Sequence, residues 1–272
     1  MNNLEINKVH DFWNSESCGE RYALGDSSVQ KFLNEEKNRY KLEPYIKKFG
    51  NFSEYKNKDV LEIGVGFGCD HSQIAKQKPN LLNGIDLTER AIENTKLRFK
   101  NLGLNSFLKI DNAEKLSFKD NTFDAIYSWG VLHHSPDTPK CFEEVYRVLK
   151  PGGFAKIMIY HKHSPVGWML WVRYALFKLK PLRSLESIYR NYLESTGTKA
   201  YTIREAKELT KKFSHTTISV QLSFGDLLEG NIGVRHKGFI LRFAKAIYPK
   251  KIIKMIAKIF PIGLYLLINV KK

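Results

Sequence analysis

Cysteine is scarce in this sequence of 272 residues, and the three that occur lie far apart. Cys18, Cys69 and Cys141 match neither the paired spacing of a zinc site nor the even count of a disulfide framework. No uncharged apolar run reaches the ~18 residues that a membrane-spanning helix needs. The first residues lack the apolar stretch and the cleavage site of a secretory signal. We therefore expect reduced thiols and a cytoplasmic protein.

Acidic residues are scarce in the C-terminal half: residues 151–272 hold 22 basic residues and 6 acidic ones. The chain has 44 Lys and Arg against 28 Asp and Glu, a formal net charge of +16. Residues 1–150 hold 22 basic and 22 acidic residues, whereas residues 231–272 hold 10 basic residues and no acid. This asymmetry favours an anionic partner: a membrane surface, a phosphorylated substrate or a nucleic acid. Lysines that simply fill solvent positions would explain the basic count but not the missing acids.

Short apolar runs alternate with amphipathic segments from Lys58 onward. Hydrophobic residues make up 43% and charged residues 26% of the chain, which excludes disorder, collagen and a coiled coil. The alternation predicts a doubly wound α/β sheet with right-handed crossovers, preceded by a mainly helical segment over residues 1–55. In TERAIENTKLRFKNLGL, Thr88 caps a predicted helix and Gly103 ends it. The predicted strands lie in DVLEIGVGFG, LLNGIDLT, FLKIDNAEKL, FDAIYSWGVLHH and GFAKIMIYHKHS.

Three glycines follow the first predicted strand, in the pattern E-x-G-x-G-x-G over residues 62–68. They allow a sharp turn and a close approach of backbone to ligand. Asp86 ends the next strand, 22 residues after Gly64, where a carboxylate can accept both ribose hydroxyls of a nucleotide. Cys69 stands where a dinucleotide motif would have its third glycine. The phosphate loop G-x-x-x-x-G-K-[ST] does not occur, which disfavours a nucleoside triphosphatase.

Five segments in order, VLEIGVGFG, GIDLT, NAEKLSF, FDAIYSWGVLHH and EVYRVLKPGG, resemble the class I S-adenosylmethionine-dependent methyltransferases. Within that class, the motifs are most similar to those of the small-molecule enzymes of the ubiquinone/menaquinone-biosynthesis type. The resemblance covers residues 57–160. It implies a Rossmann-like, seven-stranded α/β sheet whose last strand is antiparallel, with the last two strands at 216–224 and 263–270. It also implies a helical N-terminal lid (1–55), an S-adenosylmethionine-binding core (56–160), and a basic part (161–272) that combines cap insertions with the last two strands.

The resemblance also implies which residues bind S-adenosylmethionine. The family's glycine loop holds the aminocarboxylate end of the cofactor, and the acid after the second strand binds the ribose. Where the family has Asp-Ala-Glu, this chain has Asn112-Ala113-Glu114. The side-chain carbonyl of Asn112 can accept the hydrogen bond that the family's Asp accepts from the adenine amino group. Asp111 beside it could accept that bond instead. Ser128 would lie near the methionine portion, and Tyr22 could close over it. The implied cofactor-binding residues are Tyr22, Glu62, Gly64, Gly66, Gly68, Asp86, Leu87, Asn112, Ala113 and Ser128.

Histidines and a tyrosine at two strand ends are the candidate catalytic residues. A base is needed only if the nucleophile starts protonated, and imidazole titrates in the working range. His133 and His134 follow the fourth strand, and Tyr160, His161 and His163 follow the fifth; we favour His134 or His161. The alternatives are a packed pair at a helix start and a solvated turn. His161 and His163 have no acid or cysteine at ligand spacing, so we expect no metal.

A basic amphipathic stretch occupies residues 239–260. Lys251, Lys254 and Lys258 share one helical face, and isoleucines fill the rest. Such a helix can lie on an anionic membrane, or it can cap the substrate pocket with its lysines in water. The aromatic residues of 168–177 have the same two interpretations.

The sequence therefore predicts methyl transfer by in-line displacement to a small-molecule acceptor, lipid-like or anionic, on O, N, C or S. One alternative is an RNA or tRNA methyltransferase. A nucleic-acid partner is disfavoured because the basic half is interleaved with Ile, Leu and Phe rather than Arg and Gly. The other alternative is a non-catalytic cofactor-binding module. Peripheral contact with the anionic inner face of a membrane remains open, as does the oligomeric state.

Overall fold

The computed structural model describes residues 2–17, 20, 23, 28–229 and 248–272. Two features predicted from the sequence therefore lie outside the described residues: Tyr22, and positions 239–247 of the basic amphipathic stretch.

Within the described residues, seven strands form one mixed sheet in the order β3-β2-β1-β4-β5-β7-β6. β7 runs antiparallel to both β5 and β6, and the other neighbours are parallel. This confirms the predicted Rossmann-like sheet with an antiparallel last strand. The strands are β1 (Asp59–Ile63), β2 (Leu81–Asp86), β3 (Phe107–Ile110), β4 (Phe123–Trp129), β5 (Leu149–Tyr160), β6 (His215–Gln221) and β7 (Tyr265–Lys271).

Helices cover both faces of the sheet and extend beyond its carboxyl edge. The described ones are α1 (Asn2–Ser15), α2 (Ser28–Leu42), α3 (Tyr45–Gly50), α4 (Cys69–Ala75), α5 (Glu89–Leu102), α6 (Thr138–Val148), α7 (Pro165–Tyr174), α8 (Leu185–Tyr192), α9 (Ile203–Leu209) and α10 (Lys250–Ile259). None of these described helices is both long and apolar enough to cross a membrane. Short 3-10 turns occur at Phe52–Tyr55, Leu132–His134 and Leu176–Lys178.

The predicted ends of α5 are confirmed. The Thr88 side chain accepts a hydrogen bond from the Ala91 amide at its start. Gly103 follows its last turn at a φ of 63°, with its amide bonded to the Lys100 carbonyl. Only a residue that tolerates the left-handed region ends a helix in this way without strain.

Two apolar clusters sandwich the sheet. On one face, α6 packs Phe142, Val145 and Val148 against the central strands. On the other face, α3, α4 and α5 contribute Ile46, Ile74 and Phe99 to a second cluster. Helices on both faces are the arrangement of a doubly wound fold, which leaves only the strand ends to hold ligands.

Buried ion pairs fix α2 to the core. Arg98 of α5 is fully buried and pairs with Glu35 of α2. Arg39 of α2 donates to both carboxylate oxygens of Asp70 in α4, at 3.2 and 2.8 Å. Losing one member of such a pair leaves a buried charge unpaired, which costs several kcal/mol. These pairs therefore hold α2 firmly against α4 and α5.

Candidate active site

A cavity lies at the carboxyl ends of β1, β2, β4 and β5. β2 and β4 flank β1 on opposite sides, so the strand order reverses there, which is where open α/β sheets bind ligands. Residues from α1, from α2 and the position after it, from the segment 161–224 and from β7 complete its wall: Ile6, Val9, Trp13, Arg39, Glu43, Glu194, Phe224 and Tyr265.

The glycine loop forms one side of the cavity. Gly64, Gly66 and Gly68 have φ angles of 82°, 54° and 76°. A Cβ on Gly64 would lie 2.1 Å from Cγ2 of Val131, so no other residue fits there without displacement. Gly64 and Gly66 line the cavity, whereas Gly68 lies against Thr95 at the start of α4. The loop thus presents bare backbone to a ligand.

Asp86 lies beside this loop at the end of β2. One carboxylate oxygen accepts a hydrogen bond from the Gly66 amide at 3.0 Å. The other accepts hydrogen bonds from the amide and the hydroxyl of Thr88, at 3.1 and 3.0 Å. Burial raises the pKa of the Asp86 carboxyl, and these hydrogen bonds oppose that rise. Asp86 and the adjacent Leu87 both line the cavity, so the carboxylate is held in place and its remaining lone pairs are available to a ligand.

Asn112 and Ala113 line the cavity after β3, together with Asp111. The Asn112 carbonyl oxygen accepts the Glu114 amide at 2.9 Å and keeps a second lone pair. The Asp111 carboxylate already accepts three hydrogen bonds: one from the Asn112 amide, and two from the amide and the hydroxyl of Ser117. Asn112 is thus better able than Asp111 to accept a further hydrogen bond.

Glu62 and Ser128 do not reach the cavity, although both were predicted to bind the cofactor. The Glu62 carboxylate is buried 2.9 Å from Nδ1 of His71. The Ser128 hydroxyl donates to the Ile63 carbonyl at 3.0 Å. Successive side chains of a strand point to opposite sides. The neighbours Ile63 and Trp129 line the cavity instead.

Among the histidines that the structure describes, His134 is the one that lines the cavity. Its Nδ1 lies 2.9 Å from the Ser195 hydroxyl and 3.1 Å from that of Thr198. The Thr198 hydroxyl donates to the Ser195 carbonyl at 2.7 Å, so its oxygen can only accept from His134. This places the proton on Nδ1 and a lone pair on Nε2. Nε2 has no hydrogen-bond partner among the described residues and lies 3.5 Å from Oε2 of Glu194.

The environment of His134 keeps its ring neutral. Burial, and then the charge of Lys199, lower the pKa of His134 to about 3. Trp13 of α1 packs edge-on against the ring, with centroids 5.1 Å apart. His134 therefore presents a desolvated, uncharged hydrogen-bond acceptor to the cavity.

The other catalytic candidates occupy different positions. The Tyr160 hydroxyl lines the cavity and donates to Glu194 at 2.7 Å. His133 is fully buried behind it, with ring centroids 3.9 Å apart. His161 does not line the cavity: its Nδ1 donates to the Gly263 carbonyl at 3.0 Å, and burial lowers its pKa to about 4. The structure brings the rings of Tyr160 and His134 to 6.0 Å from each other and leaves His161 outside the cavity lining, directly after β5.

Polar contacts attach α1 to the start of α5, directly after Asp86. Nε2 of His10 lies 2.8 Å from the Glu89 carboxylate. Arg90 donates to both carboxylate oxygens of Glu20, at 2.9 and 2.8 Å. Hydrogen bonds to Asp11 and then to Glu89 raise the pKa of His10. These contacts hold the segment that carries Trp13 over the cavity.

Sequence reasoning missed several cavity residues. The sequence of β4 does not mark Trp129, because the strand is buried on both faces and shows no clear alternation of polar and apolar residues. Arg39, Glu43, Glu194 and Tyr265 carry no local pattern that marks them, because each belongs to a segment whose contact with the cavity is tertiary.

The chain is similar to known methyltransferases. The family model described as "Methyltransferase domain" matches residues 61–157. Phosphoethanolamine N-methyltransferase 2 of Caenorhabditis elegans is 36% identical over 125 residues, which are 43% of this chain and 26% of that protein. Cycloartenol-C-24-methyltransferase 1 of Oryza sativa subsp. japonica is 38% identical over 96 residues, 34% of this chain and 28% of that protein. The matched part spans about a quarter of the length of these relatives.

Solved structures show the same fold. Phosphoethanolamine N-methyltransferase 2 of Haemonchus contortus, in complex with S-adenosyl-L-methionine, superposes with a TM-score of 0.59 at 17% identity, covering 97% of this chain and 60% of that one. A SAM-dependent methyltransferase of Methanosarcina mazei gives a TM-score of 0.53 at 20% identity, covering 82% of this chain and 97% of that one.

Proposed function

We propose that this chain, whose residues 61–157 form a class I S-adenosylmethionine-dependent methyltransferase domain, transfers a methyl group to a small-molecule acceptor that is lipid-like or anionic. One observation carries the proposal. The ends of β1, β2 and β4 bring the bare glycine loop, the Asp86 carboxylate and the His134 ring to the same cavity.

The residues at the cavity fit S-adenosylmethionine. Asp86 would hold the ribose, and the backbone at Gly64 and Gly66 would hold the aminocarboxylate end, where a side chain would collide with Val131. Asn112 has a lone pair free for the adenine amino group, and Leu87 lies beside it in the lining. Glu62, Gly68 and Ser128 would support the loop from behind. When bound, this group supplies a methyl carbon that is already electrophilic.

The chain's own residues would orient the acceptor, exclude water and accept a proton. Ile6, Val9 and Trp13 of α1 line one side of the cavity, and Glu194 and Phe224 line another. Aligning the reacting atoms and keeping water out supplies much of the rate enhancement in such a transfer. Nε2 of His134 is positioned to take a proton from an acceptor atom that must lose one.

Replacing Asp86 with Ala should weaken binding of S-adenosylhomocysteine by ~1.5–3 kcal/mol, because hydrogen bonds to a charged group are lost. Isothermal calorimetry measures this directly. Asp120→Ala, which removes an exposed carboxylate paired with Arg147, is the control and should bind normally. Equal affinities of the two variants would contradict the assignment of Asp86 to the ribose.

We also propose peripheral contact with an anionic membrane through α10. No residue of α10 is buried among the described residues or lines the cavity, so the cap interpretation has no support there. Its apolar residues are largely exposed: Ile252 by 53%, Ile259 by 73% and the adjacent Phe260 by 59%. Lysines interleave with them, as in helices that lie in an anionic interface.

Reversing Lys251 and Lys258 to Glu should release the protein from anionic vesicles. Each lysine near such a surface contributes about 1 kcal/mol, so two reversals should weaken binding at least ~30-fold. Ile252→Glu should also weaken it, because the apolar face must enter the lipid. Co-sedimentation at low salt is the measurement.

The matched control reverses Lys96 and Lys100, which are exposed on α5 in the electrically neutral half of the chain. It should bind vesicles like the unchanged protein. Failure of the unchanged protein to bind anionic vesicles, or equal binding to neutral ones, would rule out the membrane contact.

A further inference from the structure

The loop of residues 176–182, between α7 and α8, carries bulky apolar side chains into solvent. Phe177 is 76% exposed, Leu179 is 90% exposed and Leu182 is 99% exposed. Single exposed apolar residues are common, but a cluster of them within one short loop is typical of an interaction surface. None of residues 168–182, all of which the structure describes, lines the cavity. Their interpretation as a cap over the substrate pocket therefore has no support.

The base of the 176–182 loop is firmly packed. Ala175 is fully buried in an apolar cluster formed by α7 and α8. Its carbonyl accepts a hydrogen bond from the Lys180 amide at 2.8 Å. The indole N–H of Trp171 donates to the Arg183 carbonyl at 2.8 Å. The fold therefore holds the loop in place while the apolar side chains of the loop stay outside the core.

Leu179 is unfavourable in the protein alone. Its φ is 55°, in the left-handed region, where a Cβ strains the backbone and glycine or asparagine fits better. A buried leucine would gain free energy from leaving water, but this side chain is almost fully exposed. Neither the backbone nor the side chain of Leu179 gains from a leucine here. The gain must come from a partner that covers the side chain.

The charge of the loop and its surroundings matches an anionic lipid surface. Lys178 and Lys180 alternate with the apolar side chains and are exposed. Residues 151–185 contain no Asp or Glu. A second copy of this chain, whose formal net charge is +16, would bring like charge to the loop. An anionic bilayer offers both the opposite charge and an apolar interior.

The helix that leads into the 176–182 loop and the segment that leads into α10 are fixed to the same residue. Asp226 accepts a hydrogen bond on its carboxylate from the Val166 amide, at the start of α7, at 3.0 Å. The Asp226 backbone carbonyl accepts one from the hydroxyl of Tyr248, two residues before α10, at 2.9 Å. Phe224, two residues before Asp226, lines the cavity. Both basic, apolar surfaces therefore branch from the cavity wall.

We infer that the 176–182 loop is a second membrane-contact site, whose leucines and Phe177 enter an anionic bilayer while its two lysines meet the headgroups. This inference deepens the membrane contact proposed for α10 and rests on that proposal only for the identity of the partner. A single helix in the interface leaves the protein free to rotate about the helix axis. A second contact, on a different element, fixes the orientation of the protein on the bilayer.

The combined variant Leu179→Asn and Leu182→Gln tests the loop in the full chain, with vesicles of phosphatidylglycerol and phosphatidylcholine. It should bind at least ~10-fold more weakly in co-sedimentation, because two apolar side chains no longer enter the lipid. Its melting temperature should not fall, since asparagine adopts the left-handed φ with less strain than leucine. The matched control, Leu97→Gln on an exposed leucine of α5, should bind like the unchanged protein.

A second variant, Leu182→Trp, reports insertion directly. The emission that the new indole adds to that of the unchanged protein should be quenched by lipids brominated on their acyl chains. The emission added by Leu97→Trp should not be quenched, because α5 would remain in water.

The inference would be overturned by a loop variant that binds like the unchanged protein, by unquenched emission of Leu182→Trp, or by self-association through the loop in place of vesicle binding. If reversal of Lys251 and Lys258 releases the protein and the loop variant does not, this inference falls and the α10 contact stands. Release by the loop variant alone would support the loop and contradict the α10 contact. Calorimetry with S-adenosylhomocysteine on the same variants tests the proposed methyltransferase function separately.

Discussion

Gly64→Ala should lower the free energy of unfolding by ~2–5 kcal/mol and weaken S-adenosylhomocysteine binding about 100-fold or more. The left-handed φ of 82° costs an alanine ~1–2 kcal/mol, and the Cβ would lie 2.1 Å from a methyl carbon of Val131, an overpacking that costs ~1–3 kcal/mol. Relief of the clash must move either the glycine loop or the turn that carries His134. Thermal unfolding and calorimetry give the two effects.

Two matched variants separate the causes. Gly103→Ala carries a similar φ of 63°, but nothing lies within 4 Å of its added Cβ. Gly103→Ala should lower the free energy of unfolding by only about 1 kcal/mol, through backbone strain, and leave cofactor binding intact. Adding Val131→Ala to Gly64→Ala should recover the steric part of the loss. If Gly64→Ala behaves like Gly103→Ala, the close approach at the loop has no role in binding.

His134→Ala should lower kcat by ~10²–10⁴ for an acceptor whose reacting atom must lose a proton, with cofactor binding retained. The reason is the loss of the lone pair on Nε2 at the cavity wall. The rate of S-adenosylhomocysteine release with a saturating acceptor is the measurement. His161→Ala is the comparison, because His161 lies outside the cavity lining and should keep kcat near the unchanged value. Near-normal rates in His134→Ala would mean that another group, or none, removes the proton.

The pH dependence follows from the depressed pKa of His134. Its base form is the neutral ring, and a pKa of about 3 keeps the ring neutral from pH 8 down to pH 5. A histidine of ordinary pKa would instead lose its base form as the pH falls through 6.5. The plot of kcat against pH for the unchanged enzyme should therefore lack an inflection near pH 6.5 that arises from His134. An inflection near pH 6.5 that is present in the unchanged enzyme and absent from His134→Ala would contradict this expectation.

The local parts of the fold and site could be predicted from the sequence because each depends on neighbours in the chain. The helix ends at Thr88 and Gly103 follow from capping chemistry, and the glycine loop follows from the apolar run before it. Asp86 could be placed at the cavity because the carboxyl ends of parallel strands share one edge of the sheet.

The sequence did not decide which of two neighbouring residues lines the cavity at a strand end. Ile63, Trp129 and Tyr160 line it, and the adjacent Glu62, Ser128 and His161 do not. Side chains alternate in direction along a strand, so a shift of one residue exchanges the two sides. Buried central strands are apolar on both faces, and their sequence gives no polar alternation from which to choose.

The sequence by itself determined the sheet, the glycine loop and the acid at the end of β2, since short-range patterns specify them. Only the tertiary structure decided which distant residues meet at the cavity wall. Glu43 and Tyr265 are 222 positions apart, and they touch only because β7 inserts between β5 and β6 while α2 docks on the core. Glu194, in the segment after β5, likewise accepts a hydrogen bond from Tyr160, which lies 34 positions away in the chain. Hydrogen bonds of this kind join segments whose closeness depends on the packing of the whole chain, so no local pattern encodes them.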